Sequence, residues 1–95
     1  AEGFGLDVEI HSPGPAQRQM MAALRNTNYY EMALIHPKTE QIGRPHEVYA
    51  DGYRDAIDAI DSEGYVPVPT GPGLGVEYDW DFIMKNRLGG REYGA

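Results

Sequence analysis

The sequence predicts an α/β fold in which a strand, a helix and a second strand follow one another as one unit of a parallel sheet or barrel. Residues 6–10, LDVEI, alternate apolar and acidic positions, which is typical of a half-buried strand. Residues 15–25 carry apolar side chains at helical spacing, and residues 29–35, YYEMALI, form a second apolar run. Together these patterns predict the element order of the first forty residues.

The segment before the first strand, AEGFG at residues 1–5, has the pattern of a last helical turn ended by glycine. We therefore expect further elements to precede it in a longer protein.

The predicted helix begins where the two prolines and the glycine of HSPGP end the first strand. Pro15 suits the first helical position, because a missing N–H there leaves no hydrogen bond unmade. RNTN, residues 25–28, ends the helix with side chains that favour caps and turns. One face of this helix is apolar and carries Ala16, Met20, Ala23 and Leu24.

His11 and Glu31 each lie at the end of a predicted strand, twenty positions apart. A helix of about eleven residues descends roughly 16 Å, and a strand of about five residues climbs roughly 16 Å back. Both side chains then return to the carboxyl edge of the sheet, where α/β enzymes place their active sites. Taken alone, His11 fits a general base or a surface histidine, and Glu31 fits an active-site acid or a residue on a solvated strand face.

The second half of the chain is rich in turns. Residues 36–53 form a polar connection, residues 53–64 fit one or two helical turns, and residues 76–80, VEYDW, fit a short strand before a last helical turn. A central strand is excluded around three prolines, Pro67, Pro69 and Pro72.

Composition narrows the function. The 95 residues make one small domain, and a net charge of −7 argues against nucleic acid and anionic membranes as partners. The absence of cysteine excludes disulfides and thiolate metal sites. No apolar run approaches the ~20 residues of a membrane span, so we expect a soluble, cytoplasmic protein.

Three other motifs do not predict sites. GPGLGVE, residues 71–77, lacks the Lys–Ser/Thr of a nucleotide-binding loop and does not open a helix. His36 and His46 lack metal-site spacing, and DAIDAIDSE, residues 55–63, does not match a calcium loop. We interpret these histidines and acidic residues as solvated surface.

The strand ending VEIH, the GPA loop, the helix, and a strand with Glu twenty residues later resemble the last barrel elements of the enolase superfamily, mandelate racemase subgroup. The tail GYVPVPTGPGLGVEYDWDFI is similar to the C-terminal segment of that family, and EMALIHP resembles sugar-acid dehydratases such as galactonate dehydratase. The implied fold is the C-terminal part of a (β/α)7β TIM-type barrel, with residues 6–11 as strand seven and 29–32 as strand eight. Residues 1–50 then form the last barrel elements, and residues 51–95 the segment that returns toward the capping domain.

The chemistry that the resemblance implies is abstraction of the proton α to a carboxylate, with Mg²⁺ stabilising the enediolate. His11 matches the catalytic general base or acid, and Glu31 matches the acid that hydrogen-bonds the enediolate. The Mg²⁺ ligands belong to strands three to five of such a barrel, which lie outside this chain. In a dehydratase a β-hydroxyl then leaves, and a histidine protonates it.

The resemblance therefore predicts the C-terminal part of a Mg²⁺-dependent sugar-acid dehydratase that is inactive as these 95 residues alone. Its expected partners are the N-terminal capping domain and the earlier barrel strands, a small sugar acid as substrate, and further copies of the complete enzyme in a homo-oligomer. A racemase or cycloisomerase of the same superfamily is the alternative reaction. A small acidic, non-catalytic binding module is the alternative from another class.

Overall fold

The computed structural model of the chain describes residues 1–32, 48–91 and 93. His36, His46 and the end of the predicted second strand, residues 33–35, lie outside the described residues. The elements are a 3-10 helix at Glu2–Phe4, helix α1 at Pro15–Ala23, a 3-10 helix at Ile57–Ala59 and helix α2 at Trp80–Lys85. None of the helices among the described residues is both long and apolar enough to cross a membrane.

Helix α1 begins at the predicted residue. Pro15 occupies the start of the helix after Gly14, where a residue without an N–H loses nothing. The helix ends at Ala23, and Leu24 turns to an extended conformation with its N–H still bonded to the carbonyls of Met20 and Met21. The glycine stop near the start of the chain is confirmed as well, since Gly5 has a left-handed φ of 67°.

The two predicted strands before and after α1 form no sheet ladder within the described residues. Residues 6–10 and 28–32 are joined by side chains instead. The Glu9 carboxylate accepts hydrogen bonds from the backbone N–H groups of Asn28 and Tyr29, each at 3.2 Å. These are backbone groups that a neighbouring strand would otherwise pair with, so the strand assignment and the barrel stay predictions.

One antiparallel bridge among the described residues joins Tyr49 to Tyr78 of the C-terminal segment, in place of the predicted strand over residues 76–80. Two backbone hydrogen bonds frame it, from Ala50 N–H to the Glu77 carbonyl and from Asp79 N–H to the Val48 carbonyl. Asp79 then caps the predicted final helical turn, α2, by accepting from the Phe82 N–H at 2.8 Å.

The apolar face of α1 is not its buried face. Met20, Ala23 and Leu24 are exposed, whereas Pro15 and Arg18 are buried. Arg18 is buried because its charge is paired across the chain, and the apolar face meets no packing partner of comparable extent among the described residues. The buried side of α1 therefore faces the C-terminal segment.

Arg18 forms an ion pair with Asp55, and the two residues are only 4% and 2% exposed. Asp55 Oδ1 lies 2.6 Å from Arg18 Nη2 and 3.1 Å from Nε. Two further guanidinium N–H groups donate to the backbone carbonyls of Arg54 and Pro67, each at 2.9 Å. Its Cζ also lies 4.7 Å from the ring centroid of Tyr53.

Two tyrosine hydroxyls complete this arrangement, which we call the Arg18 cluster: Arg18, Tyr30, Tyr53 and Asp55. Tyr30 donates to Asp55 Oδ1 at 2.6 Å, and Tyr53 donates to Oδ2 at 2.9 Å. Burial raises the pKa of both phenols, and the hydrogen bond to Asp55 raises the pKa of Tyr30 further, against the opposing bond from Gly14. Burial opposes the charge of Arg18, but hydrogen bonding with Tyr30 and Asp55 outweighs it and raises the guanidinium pKa. Every charge in the cluster therefore has a partner.

The glycine-rich loop, residues 69–75, is attached to α1 through Gln19. The Gln19 amide donates to the carbonyls of Pro69 at 2.6 Å and Leu74 at 3.3 Å. Gly75 closes the loop with a φ of 76°, and a Cβ at this position would lie 2.8 Å from the Pro69 carbonyl carbon. The loop thus needs glycine at position 75 for both conformation and space.

Replacing Arg18 with Met is expected to lower the free energy of unfolding of the complete protein by about 3–5 kcal/mol, because Asp55 is left buried without its counter-charge. Arg54→Met is the matched control. Arg54 pairs with Asp58 on the surface at 3.2 Å, so its loss is expected to cost under about 1 kcal/mol. Urea denaturation measures the free energy of unfolding of both variants. Equal losses would contradict the conclusion that the buried Arg18 ion pair matters more for stability than the surface pair of Arg54.

Gly75→Ala is expected to destabilise the protein by about 3 kcal/mol, from left-handed backbone strain together with overlap on Pro69. Gly73→Ala is the control, because Gly73 has a φ of 63° but open space around its Cβ direction. Gly73→Ala should lose only the stability that left-handed backbone strain costs, about 1 kcal/mol. The urea midpoints of the two variants are compared. If Gly75→Ala is no less stable than Gly73→Ala, the predicted overlap with Pro69 is wrong.

Candidate functional site

The structure brings together the two residues that the sequence predicts as catalytic. His11 Nδ1 lies 2.9 Å from Glu31 Oε2, across a separation of twenty residues. The His11 side chain is 89% exposed and that of Glu31 is 41% exposed. The pair therefore sits at an open edge of this chain, and its catalytic role stays a prediction.

The turn that follows His11 is held in a strained conformation. Ser12 has a φ of 76° and is the one non-glycine residue with positive φ among the described residues. This left-handed conformation costs a serine roughly 1–2 kcal/mol. It aims the Ser12 N–H at Glu31 Oε2, 3.0 Å away. The same carboxylate oxygen thus contacts both the His11 imidazole and the backbone N–H of the next residue, Ser12.

The turn has a second attachment two residues later. The Gly14 N–H donates to the hydroxyl of Tyr30 at 2.7 Å. Glu31 and Tyr30 are consecutive, so alternate N–H groups of the turn, at residues 12 and 14, bind successive side chains of one segment. Tyr30 is also a member of the Arg18 cluster, and so the turn is connected to the buried centre of the structure.

The electrostatics of the pair favour an ionised Glu31. The Ser12 N–H contributes most to lowering the pKa of this carboxyl below its usual 4.5, and His11 lowers it further. An ionised carboxylate only accepts hydrogen bonds, so His11 Nδ1 must carry the shared proton. In the neutral imidazole the lone pair then lies on Nε2, which makes Nε2 the atom that exchanges a proton with a ligand.

A metal ion has no candidate site in the parts of the chain that the structure describes. No three His, Asp or Glu side chains there stand close enough together to hold one. The described residues therefore do not fit a Mg²⁺ site, and the location of the Mg²⁺ ligands outside this chain stays a prediction from the resemblance.

A groove of about 540 Å³ lies between α1 and the segments 27–32 and 60–68. Its walls include apolar side chains such as Met21 and Val68, but neither His11 nor Glu31 lines it. The groove and the candidate catalytic pair are thus separate features of this chain.

Sequence reasoning missed the residues that support the pair, namely Tyr30, Asp55 and Arg18. Arg18 shares a helix face with Pro15, three residues earlier, but its partner Asp55 is 37 residues away. A local pattern carries no information on such a pairing. The one available signal was Tyr30 itself, an amphipathic residue beside a predicted catalytic acid, whose hydroxyl requires a partner when buried.

Comparison with known proteins identifies a matching family. Residues 1–82 match the family model described as enolase C-terminal domain-like. The matched range contains both predicted catalytic residues, the Arg18 cluster and the glycine-rich loop. Searches of curated proteins and of solved structures find no significant match.

Glu31 is expected to titrate below 4.5 in the folded protein. A lowered carboxyl pKa stabilises the fold above the usual pKa and loses that contribution as the pH falls through the lowered value, so the turn should loosen only in distinctly acidic solution. NMR of carboxyl-labelled glutamate measures the titration. In His11→Ala the pKa should rise only in part, because the larger cause, the Ser12 N–H, remains. Titration of Glu31 at the usual value in the unsubstituted protein would contradict the geometry.

Proposed function

Since the chain belongs to the enolase C-terminal domain-like family, we propose that it is the C-terminal part of a longer lyase or isomerase of the enolase superfamily. The reaction that we propose is removal of the proton α to a carboxylate, and within that class the dehydration of a sugar acid. The observation that carries the proposal is the 2.9 Å contact between His11 and Glu31, the two residues that the resemblance assigns to catalytic positions of the family.

The proton chemistry assigned to this chain centres on His11 Nε2. Nε2 accepts the α-proton, and the imidazolium that results is stabilised by the ionised Glu31 on Nδ1. The protonated Nε2 then returns the proton to the β-hydroxyl as it leaves, so water departs and no net proton remains on the enzyme. Glu31 holds the imidazole in its orientation and in the tautomer that carries the proton on Nδ1.

This assignment differs from the role that the resemblance implies for Glu31, hydrogen-bond donation to the enediolate. A donor must be protonated, whereas the Ser12 N–H and His11 favour the carboxylate form. We therefore propose that Glu31 acts first as an acceptor for His11. Donation to the substrate would require that Glu31 gain a proton during the reaction.

The proposal that other polypeptide segments complete the enzyme is supported by the burial of the described residues. Apart from proline, the buried apolar side chains among the described residues are those of Met32 and Ala56. Large side chains such as Phe4, Tyr29 and Trp80 are more than 60% exposed. An apolar surface of this kind marks contacts with other protein, which fits the missing barrel strands, the capping domain and a homo-oligomer, and gives no support to a self-sufficient binding module.

Mg²⁺ stays part of the proposal as a group held elsewhere in the complete enzyme. Family members use it to stabilise the negative charge that forms when the α-proton leaves. No step assigned to His11 or Glu31 is routed through it.

In the complete enzyme, His11→Asn is expected to abolish turnover while substrate binding stays largely intact, because the base is lost but the remaining contacts are kept. Removal of a general base typically lowers kcat by about 10²–10⁴-fold. A panel of sugar acids with Mg²⁺ is the assay, and loss of one water to give a keto acid identifies dehydration. An epimerised or isomerised product without water loss would indicate the racemase or cycloisomerase alternative.

Glu31→Gln with Glu9→Gln is the matched pair for this experiment. Both carboxylates accept backbone N–H groups and both have lowered pKa values, but Glu9 binds Tyr29 and Asn28 rather than His11. Glu31→Gln should lower kcat by about 10²-fold, and Glu9→Gln should leave it within about twofold of the unsubstituted enzyme. Turnover that survives His11→Asn would overturn the proposed function.

A further inference from the structure

We propose that Tyr30 is a positioning residue for His11, and that its hydroxyl links the buried Arg18–Asp55 ion pair to the turn that carries His11. The inference rests on the proposed function for its catalytic consequence, but the positional link is a property of this chain alone.

The first step of the argument is the double role of the Tyr30 hydroxyl. Its single proton goes to Asp55 Oδ1 at 2.6 Å, and its oxygen accepts from the Gly14 N–H at 2.7 Å. Donation to a carboxylate polarises the phenol oxygen and strengthens it as an acceptor. Asp55 thus reinforces the bond that Tyr30 makes to the turn.

The second step is the immobility of Asp55. The oxygen that accepts from Tyr30, Oδ1, is held by two bonds from Arg18 at a site 2% exposed, whereas Tyr53 binds the other oxygen, Oδ2. Arg18 is held in turn by carbonyls of the C-terminal segment. An acceptor fixed in this way defines where the Tyr30 hydroxyl, and therefore Gly14, must lie.

The third step joins Gly14 to His11. The turn between them includes Ser12 in a left-handed conformation, which persists only where the surroundings hold it. The restraints are Glu31 on the Ser12 N–H and Tyr30 on the Gly14 N–H. Without the Tyr30 bond the turn is free to relax, and His11 Nδ1 moves away from Glu31.

Tyr30→Phe in the complete enzyme tests the inference, with Tyr53→Phe as the matched control. Both changes remove one tyrosine hydroxyl from Asp55, but only Tyr30 contacts the turn. Tyr30→Phe should lower kcat by about tenfold with little change in KM, because misplacement of a catalytic group by about 1 Å costs up to 10²-fold. Tyr53→Phe should lose comparable stability but keep kcat within about twofold.

A readout that is independent of turnover uses diethylpyrocarbonate, which acylates neutral imidazole nitrogen. A carboxylate on Nδ1 raises the nucleophilicity of Nε2, so loss of the contact slows acylation. Mass spectrometry of the His11 peptide measures the acylation rate. Glu31→Gln gives the rate expected for His11 without a carboxylate on Nδ1. Tyr30→Phe should move toward that rate, and Tyr53→Phe should match the unsubstituted enzyme.

The outcomes separate the two proposals. Equal effects of Tyr30→Phe and Tyr53→Phe on kcat and on His11 acylation, or no effect of either, overturn the positioning role. Turnover that survives His11→Asn overturns the proposed function instead.

Should Tyr30→Phe not fold, 3-fluorotyrosine at positions 30 and 53 replaces it, since fluorine weakens the phenol oxygen as an acceptor with little change in shape. Slower turnover and acylation at position 30 alone would again support the inference, and identical results at both positions would refute it.

Discussion

The buried ion pair between Arg18 and Asp55 is the constraint on which the described structure depends. A guanidinium and a carboxylate removed from water need nearly ideal partners, and here the partners come from α1, from Tyr30 and from the segment around Pro67. The requirement to satisfy every polar atom therefore fixes how these segments meet. The two buried apolar residues Met32 and Ala56 do not supply that specificity.

Polar contacts also explain how the candidate catalytic pair, His11 and Glu31, is held without a sheet ladder among the described residues. Carboxylates of Glu9 and Glu31 accept backbone N–H groups from the opposite segment, and Tyr30 binds Gly14. Each contact lowers the freedom of one backbone group near the pair. These contacts keep a defined local geometry at His11 although the described residues bury little apolar surface. The exposed apolar side chains are consistent with packing against the rest of the proposed barrel.

Local features of the sequence predicted local features of the structure. Pro15 at the start of α1, the left-handed Gly5 and the final helical turn all follow from the conformational limits of single residues. Periodicity identified the apolar face of α1, but it does not show which face the rest of the chain will cover. The strands over residues 6–10 and 29–32 stay predictions, because a strand is defined by a partner and neither pairs with the other.

The sequence by itself determined the position of α1, the twenty-residue interval that returns Glu31 to His11, and the family to which residues 1–82 belong. Each of these depends on residue identity at fixed spacing along the chain. Only the tertiary structure decided that Arg18 is buried with Asp55, that Tyr30 binds the turn after His11, and that the Ser12 N–H and His11 hold the pKa of Glu31 below its usual value. These contacts join residues 16 to 37 positions apart, and hydrogen-bond pairing over such distances depends on how the whole chain is folded.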